Sequence, residues 1–182
     1  MFESDYTIYG KHATYIKYLV NDAKAFKRYI DVYMAGAALG LLYERKGEQS
    51  DSADRARIYA DAFNTEHVKC NELFRLVVLS DTSEAWTPEE RVNICFRYRD
   101  KLDPDAVPAT SEEEVATMQK ATSLFNAYVL GGIEILYDSF STNSTIDTDE
   151  TVDYAYKCIF DQHSRIESEN PDDDEQLLRP EY

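Results

Sequence analysis

The chain has 182 residues, enough for one domain with a genuine core, while two domains would be cramped. Its 43% hydrophobic and 13% aromatic content excludes a disordered polymer, and only 6 Gly and 5 Pro argue against a turn-rich all-β architecture. A net charge of -16 opposes sequence-independent attraction to DNA phosphates or anionic lipid, and favours a basic protein partner instead.

Residues 1–10 carry Phe2, Tyr6, Ile8 and Tyr9 and read as an extended arm, with Gly10 marking the turn into a first helix. That helix starts at Lys11, places Tyr15, Ile16, Leu19 and Val20 at helical intervals, and ends near Asn21-Asp22. The next stretch, from about Ala25 to Gly47, is the most apolar of the chain and is expected to be the central helix. Ile30, Tyr33, Met34, Ala37, Ala38, Leu41 and Leu42 supply its packing stripe. Ala35, Gly36 and Gly40 thin its wall so that a neighbouring backbone can approach, and Gly47 is expected to close it in a left-handed conformation.

After a polar loop, Arg55–Phe63 shows Ile58, Tyr59, Ala62 and Phe63 at helical spacing, and the apolar run 68–79 is long enough to favour a second buried helix over a strand. Thr87-Pro88-Glu89-Glu90 joins a capping hydroxyl, a first-turn proline and acids facing the helix dipole. Pro104 and Pro108 break the chain, and Ser111 with Glu114 forms a capping box that opens a long helix through Ile133–Leu136. Gly131 and Gly132 inside it cost about 1 kcal/mol each relative to alanine, so they either kink the helix or admit a close neighbour. A last helix is expected over 149–165. The fold class is therefore all-α: one helical domain over 1–166 and an acidic tail over 167–182.

Acid concentrates at that end, with 12 acidic and 3 basic residues from Asp147 onward. Asp172, Asp173, Asp174 and Glu175 are the candidate docking residues for a basic partner. Two basic patches interrupt the acid: Lys11, Lys17, Lys24, Lys27 and Arg28 in front, and Arg91, Arg97, Arg99 and Lys101 in the middle. Lys17, Lys24, Lys27 and Arg28, interleaved with Tyr15, Tyr18 and Tyr29, are the candidate nucleic-acid contacts, against the plainer reading of a solvated face. The 14 tyrosines exceed what core packing requires and suit an interface.

Catalytic and metal constellations are weak. His67 and Cys70 share a helix face, and Cys95, Cys158 and His163 are the remaining soft ligands, but no paired C-x-x-C occurs. The acids Asp105 and Glu112–Glu114 with Lys120 superficially suit a nuclease, yet the capping box already accounts for the glutamates. Gly131-Gly132 lacks the lysine and hydroxyl of a phosphate loop. No cofactor, metal or enzymatic activity is expected. Three widely separated cysteines suit reduced thiols in a cytoplasm, and no apolar run reaches membrane-spanning length. The amino end lacks the layout of a signal peptide.

Two segments carry a resemblance. Ala37, Ala38, Leu39 and Gly40 in an early helix, then Phe125, Tyr128, Gly131, Gly132, Ile133, Glu134, Ile135 and Leu136 in a late one, resemble the paired signatures of a small family associated with bacterial DNA phosphorothioation (Dnd) gene clusters. The likeness covers about a third of the chain, and the end after Ser144 has no counterpart in it. It implies an accessory protein of a phage-defence or DNA-modification locus, with no catalysis to carry over. The expectation is a non-catalytic adaptor that binds another protein, itself basic or DNA-binding. The alternatives are an acidic DNA mimic that inhibits a DNA-binding enzyme, and a subunit that touches DNA through the front patch. Self-association is left open.

Overall fold

Helix dominates because the sequence supplies apolar faces at helical period and caps at the expected starts. The computed structural model describes residues 2–50, 52–98 and 111–141, within a unit that closes at Ser141. Helix α1 is Lys11–Lys17 and passes into a π-helical turn over Tyr18–Asp22, ending where Asn21-Asp22 foretold. Helix α2 is Tyr29–Leu42, α3 is Ala60–Thr65, α4 is His67–Ser80, α5 is Pro88–Phe96 and α6 is Glu112–Ser141. Thr87 and Glu90 make the reciprocal bonds of a capping box, and Ser111 with Glu114 does the same ahead of α6.

The all-helical expectation holds apart from one small ribbon. Strand β1, Tyr6–Tyr9, pairs antiparallel with β2, Arg55–Ile58, placing Tyr6 opposite Ile58 and Tyr9 opposite Arg55. The front arm is thus extended, as expected, and Gly10 turns out of it at φ 66°. The helix expected from Arg55 is corrected: Ala56 and Ile58 bury alternate positions of a strand, and the helix begins only at Ala60. Four residues are too few to separate a period of 2 from one of 3.6, and the strand partner lies far away in sequence.

Helix α2 is shorter than expected at both ends. Its start is set by Arg28, whose backbone N–H donates to Asp31 Oδ2, and Lys24 before it holds a positive φ of 51°. At its end Glu44 N–H donates to Leu41 O and Arg45 N–H to Gly40 O, a Schellman closure. Glu44, at φ 51°, takes the left-handed position expected of Gly47. Gly47 instead lies against α6, its N–H donating to the Ala127 carbonyl at 2.8 Å, where a side chain would meet Leu130 and Gly131.

The core is the seam between α2 and α6. Gly36 and Gly40 on α2 face the backbone of Val129, Tyr128 and Gly132 on α6, so that any Cβ at Gly40 or Gly132 would overlap a carbonyl of the other helix. Helix α6 is a single 30-residue element, roughly 45 Å long, so its glycines admit a neighbour and do not break the helix. An aromatic cluster closes one side of the seam: Phe125 meets Phe2, Tyr33 and Phe74 edge-on, and Phe2 stacks on Phe63. Among the described residues most tyrosines serve packing. Tyr33 and Tyr128 are buried, and Tyr15 stacks on Tyr137 at 3.9 Å, while Tyr9, Tyr43 and Tyr59 are exposed. No helix among the described residues is long and apolar enough to cross a membrane.

Candidate functional site

Helices α2 and α4 lie side by side, and among the described residues nothing covers the outer edge of their contact. The stripe expected to be core on α2 is split by the fold. Ile30, Tyr33 and Ala37 are buried, but Ala38 and Leu42 face outward and Met34 and Leu41 are only half-buried. Ala35, expected to thin the wall beside α6, sits on the α4 side instead. On α4, Cys70, Phe74, Val77 and Val78 face the core, leaving Leu76 and Leu79 about half exposed at 50% and 46%. The result is a groove with two hollows that share Leu76, of about 690 Å³ and 600 Å³. The larger is floored by Ala38, Leu41, Leu42 and Leu76 and ends at Lys46, Asp81 and Tyr128. The smaller is formed by Met34, Ala35, Leu73 and Leu76, with Lys69 and Glu72 at its rim.

The polar end of the groove is locked. Asp81, directly after α4, has a fully buried side chain. Its carboxylate accepts the Tyr128 hydroxyl at 2.5 Å, Lys46 Nζ at 3.0 Å, Ser83 N–H and Oγ–H at 3.0 and 2.9 Å, and Glu84 N–H at 3.0 Å. Burial alone would raise its pKa, but bonds from Tyr128, Lys46, Ser83 and the Glu84 backbone outweigh it and hold it at about 2. Burial first, and then the bond to Asp81, push the Tyr128 phenol well above its ordinary value. Lys46 also donates to Ser83 Oγ and lies 4.8 Å over the Tyr128 ring. A Ser-Lys nucleophile pair needs a neutral amine and spare N–H donors for an oxyanion. Here Lys46 Nζ is engaged by Asp81 and Ser83, and the Asp81 carboxylate occupies the Ser83 and Glu84 N–H groups. The cluster is therefore a clamp between α4, α6 and the loop after α2.

A second cluster, with His12 buried at its centre, joins α1 to α6. Glu134, the acid of the late glycine motif, accepts Lys11 at 2.8 Å, His12 Nε2 at 2.9 Å and Arg45 Nη2 at 2.7 Å. Arg45 also reaches Asp138, and Tyr15 lies edge-on to the His12 ring. Burial opposes the Glu134 charge, yet the bonds from Lys11, Arg45 and His12 prevail and hold its pKa at about 2. For His12, with no accessible surface and Nδ1 without a hydrogen bond, burial prevails over Glu134 and lowers the pKa below 6.5.

The sign of the pH dependence follows. A histidine whose folded pKa is depressed stays neutral in the fold, so acidification below about 6.5 protonates the unfolded chain first and stability falls. Glu134 contributes roughly 3 kcal/mol above its unfolded pKa near 4.5, lost as pH drops toward 2. Thermal unfolding should therefore be flat from pH 8 to 7, begin to fall below about 6.5 and steepen below about 4.5. In His12→Gln the first decline should vanish and the second persist; an unchanged first decline would remove His12 as its source.

Of the four cations proposed to meet nucleic acid, two are committed within the chain. Lys17 pairs with Asp54, and Arg28 pairs with Asp31 and with Glu66 at 2.8 Å. Lys24 and Lys27 are exposed and have no partner among the described residues. In the middle patch, Arg91 donates to the carbonyls of Trp86, Val78 and Glu84, and Arg97 bonds Asn93; Arg99 and Lys101 lie outside the described residues. Cys70 and Cys95 are buried thiols pushed by desolvation up to about 11, which leaves them poor nucleophiles. Among the described residues no three His, Cys, Asp or Glu side chains converge as metal ligands. Lys120 pairs with Glu84 at 2.5 Å. Cys158, His163, the helix expected over 149–165, the boundary at 166 and the acidic residues Asp172, Asp173, Asp174 and Glu175 lie outside the described residues.

Sequence reasoning located the α2–α6 glycines and missed the groove and the Asp81 clamp. The run Asp81-Thr82-Ser83-Glu84 does carry a local signal, an Asx-type turn in which Asp accepts backbone N–H groups two and three residues on. Nothing local announces that Lys46 and Tyr128 converge on it. A comparison with family models, curated proteins and solved structures found no match for the chain.

Proposed function

We propose that the protein is a non-catalytic adaptor that binds a partner protein through the α2–α4 groove, within a phage-defence or DNA-modification system of the phosphorothioation type. The observation that carries the binding role is the groove itself, where Leu42 and Leu76 are left about half exposed along one concave face. Contiguous apolar surface of this kind in an otherwise charged chain marks an attachment site. The setting rests on the likeness of the Ala37–Gly40 and Phe125–Leu136 segments to the phosphorothioation-associated family.

The test is affinity capture from the native host with the wild-type chain and with Leu42→Glu/Leu76→Glu. Both leucines are about half exposed, so the fold should tolerate the change. A specific protein should be retained by the wild type and fall about tenfold or more with the variant. Equal retention would reject the groove as the attachment site.

Direct DNA contact through the front patch is a second reading, supported by Lys24 and Lys27, which have no partner among the described residues. It predicts a gel shift that Lys24→Glu/Lys27→Glu abolishes; an unaffected shift would reject the patch. Imitation of DNA by rows of acids has less support, since Asp54, Glu66, Asp81 and Glu134 each bond cations of the same chain.

A further inference from the structure

The groove has a chemical polarity that narrows what fits it. Its cations are spoken for: Lys46 is bound to Asp81 and Ser83, and Lys69 to Glu66 at 2.8 Å. Its two rim carboxylates are not. Glu44 at one end and Glu72 at the other are exposed and have no ion-pair partner among the described residues. Between them Met34, Ala35, Ala38, Leu41 and Leu42 line the two hollows along about 12 Å of helix α2, or a little over two turns.

A floor of that length, walled by α2 on one side and α4 on the other, suits a third helix laid into it, reading anchors at i, i+3, i+4 and i+7. A strand would need a free sheet edge, and both walls of this groove are helices whose backbone groups are already bonded. The charge of the occupant follows from the rim. Two unpaired acids, in a chain of net charge -16, favour cations flanking the apolar stripe and repel an acidic helix. The same charge disfavours an anionic lipid surface. Resting on the adaptor reading above, we propose that the occupant of the α2–α4 groove is an amphipathic helix of a partner protein whose apolar stripe is flanked by Lys or Arg that meet Glu44 and Glu72.

Glu44 offers a clean probe because of its backbone. It holds φ 51°, a left-handed conformation that Asn adopts with less strain than Glu. Glu44→Asn should therefore leave thermal stability unchanged or higher, so that any loss of binding is a loss of charge and not of fold. Glu72→Gln, on an exposed helix face, is similarly benign.

The experiment uses the full chain and two fluorescein-labelled synthetic helices of about 14 residues, with leucines at i, i+3, i+4 and i+7 and flanks of either lysine or glutamate. Anisotropy should show binding of the lysine peptide at least about tenfold tighter than the glutamate peptide at low salt. Glu44→Asn/Glu72→Gln should weaken it about fivefold, and Leu76→Glu should abolish it. Equal affinity for both peptides, or no effect of the charge variant, would overturn the basic occupant while leaving the groove as an attachment site. Binding of neither peptide, or indifference to Leu76→Glu, would overturn the helix-in-groove proposal. A dimer in solution that Leu76→Glu dissociates would do so as well, by making a second copy the occupant. The adaptor reading falls separately, if host-partner retention ignores the Leu42→Glu/Leu76→Glu change.

Discussion

Gly132→Ala is expected to destabilise the fold by about 3 kcal/mol or more, lowering the melting temperature by about 6–12 °C for a domain of this size. The sign is what makes the experiment informative. Helix propensity alone predicts the reverse, a gain of about 1 kcal/mol for replacing an interior glycine by alanine. Here a Cβ on Gly132 would overlap the carbonyl oxygen of Gly36, and one on Gly40 would overlap that of Tyr128. Backbone atoms cannot rotate away as a side chain can, so the helices must separate along their seam. That separation would also loosen the aromatic cluster of Phe125, Tyr33 and Phe74 packed beside it. Urea unfolding of Gly132→Ala and Gly40→Ala reads the effect directly. If either variant proved as stable as the wild type, the close approach of α2 to α6 would be wrong.

Asp81→Ala should cost about 3 kcal/mol, by leaving a buried Tyr128 hydroxyl and the Ser83 and Glu84 N–H groups without their acceptor. Lys46 is partly exposed and can turn to water, which limits the penalty from its side. Two features separate this loss from simple cavity formation. Adding Tyr128→Phe should recover part of the loss, since the orphaned hydroxyl goes with it, giving a coupling of about 1 kcal/mol or more in a double-mutant cycle. The acid limb of the stability curve should also flatten, because Asp81 no longer titrates between its unfolded value near 3.8 and about 2. Additive single-variant losses with an unchanged acid limb would show that the clamp contributes nothing beyond packing.

The legible parts of this molecule are those whose signals are local. Capping residues Thr87, Glu90, Ser111 and Glu114 sit three apart in sequence and bond as neighbours. The turn at Gly10, the end of the first helix at Asp22 and the role of Gly131-Gly132 as a point of close approach could likewise be argued from residue chemistry. The misreadings have a common cause. Glycine's preference for a left-handed cap points to Gly47 as the end of α2, yet Glu44 takes that position and Gly47 is needed against Leu130. Ala38, Leu42 and Leu76 belong to apolar runs that look like core, and only the tertiary arrangement of α2 and α4 leaves them lining an open hollow.

The candidate basic patch illustrates the same limit from the side of charge. Lys17 and Arg28 look available in sequence, but their partners Asp54 and Glu66 arrive from a distant stretch and neutralise them. The acids proposed to act at the groove, Glu44 and Glu72, are likewise those without an ion-pair partner among the described residues, and not those of the densest acidic run.

By itself the sequence determined that this is a helical, acidic chain with two small-residue helices at its centre, because helix period, capping and steric permissiveness are properties of neighbouring residues. Tertiary structure alone decided the two-strand ribbon, the Asp81 and Glu134 clamps and the open groove. Each requires groups far apart in the chain to meet, and whether an apolar or charged side chain is covered depends on what the rest of the fold brings beside it.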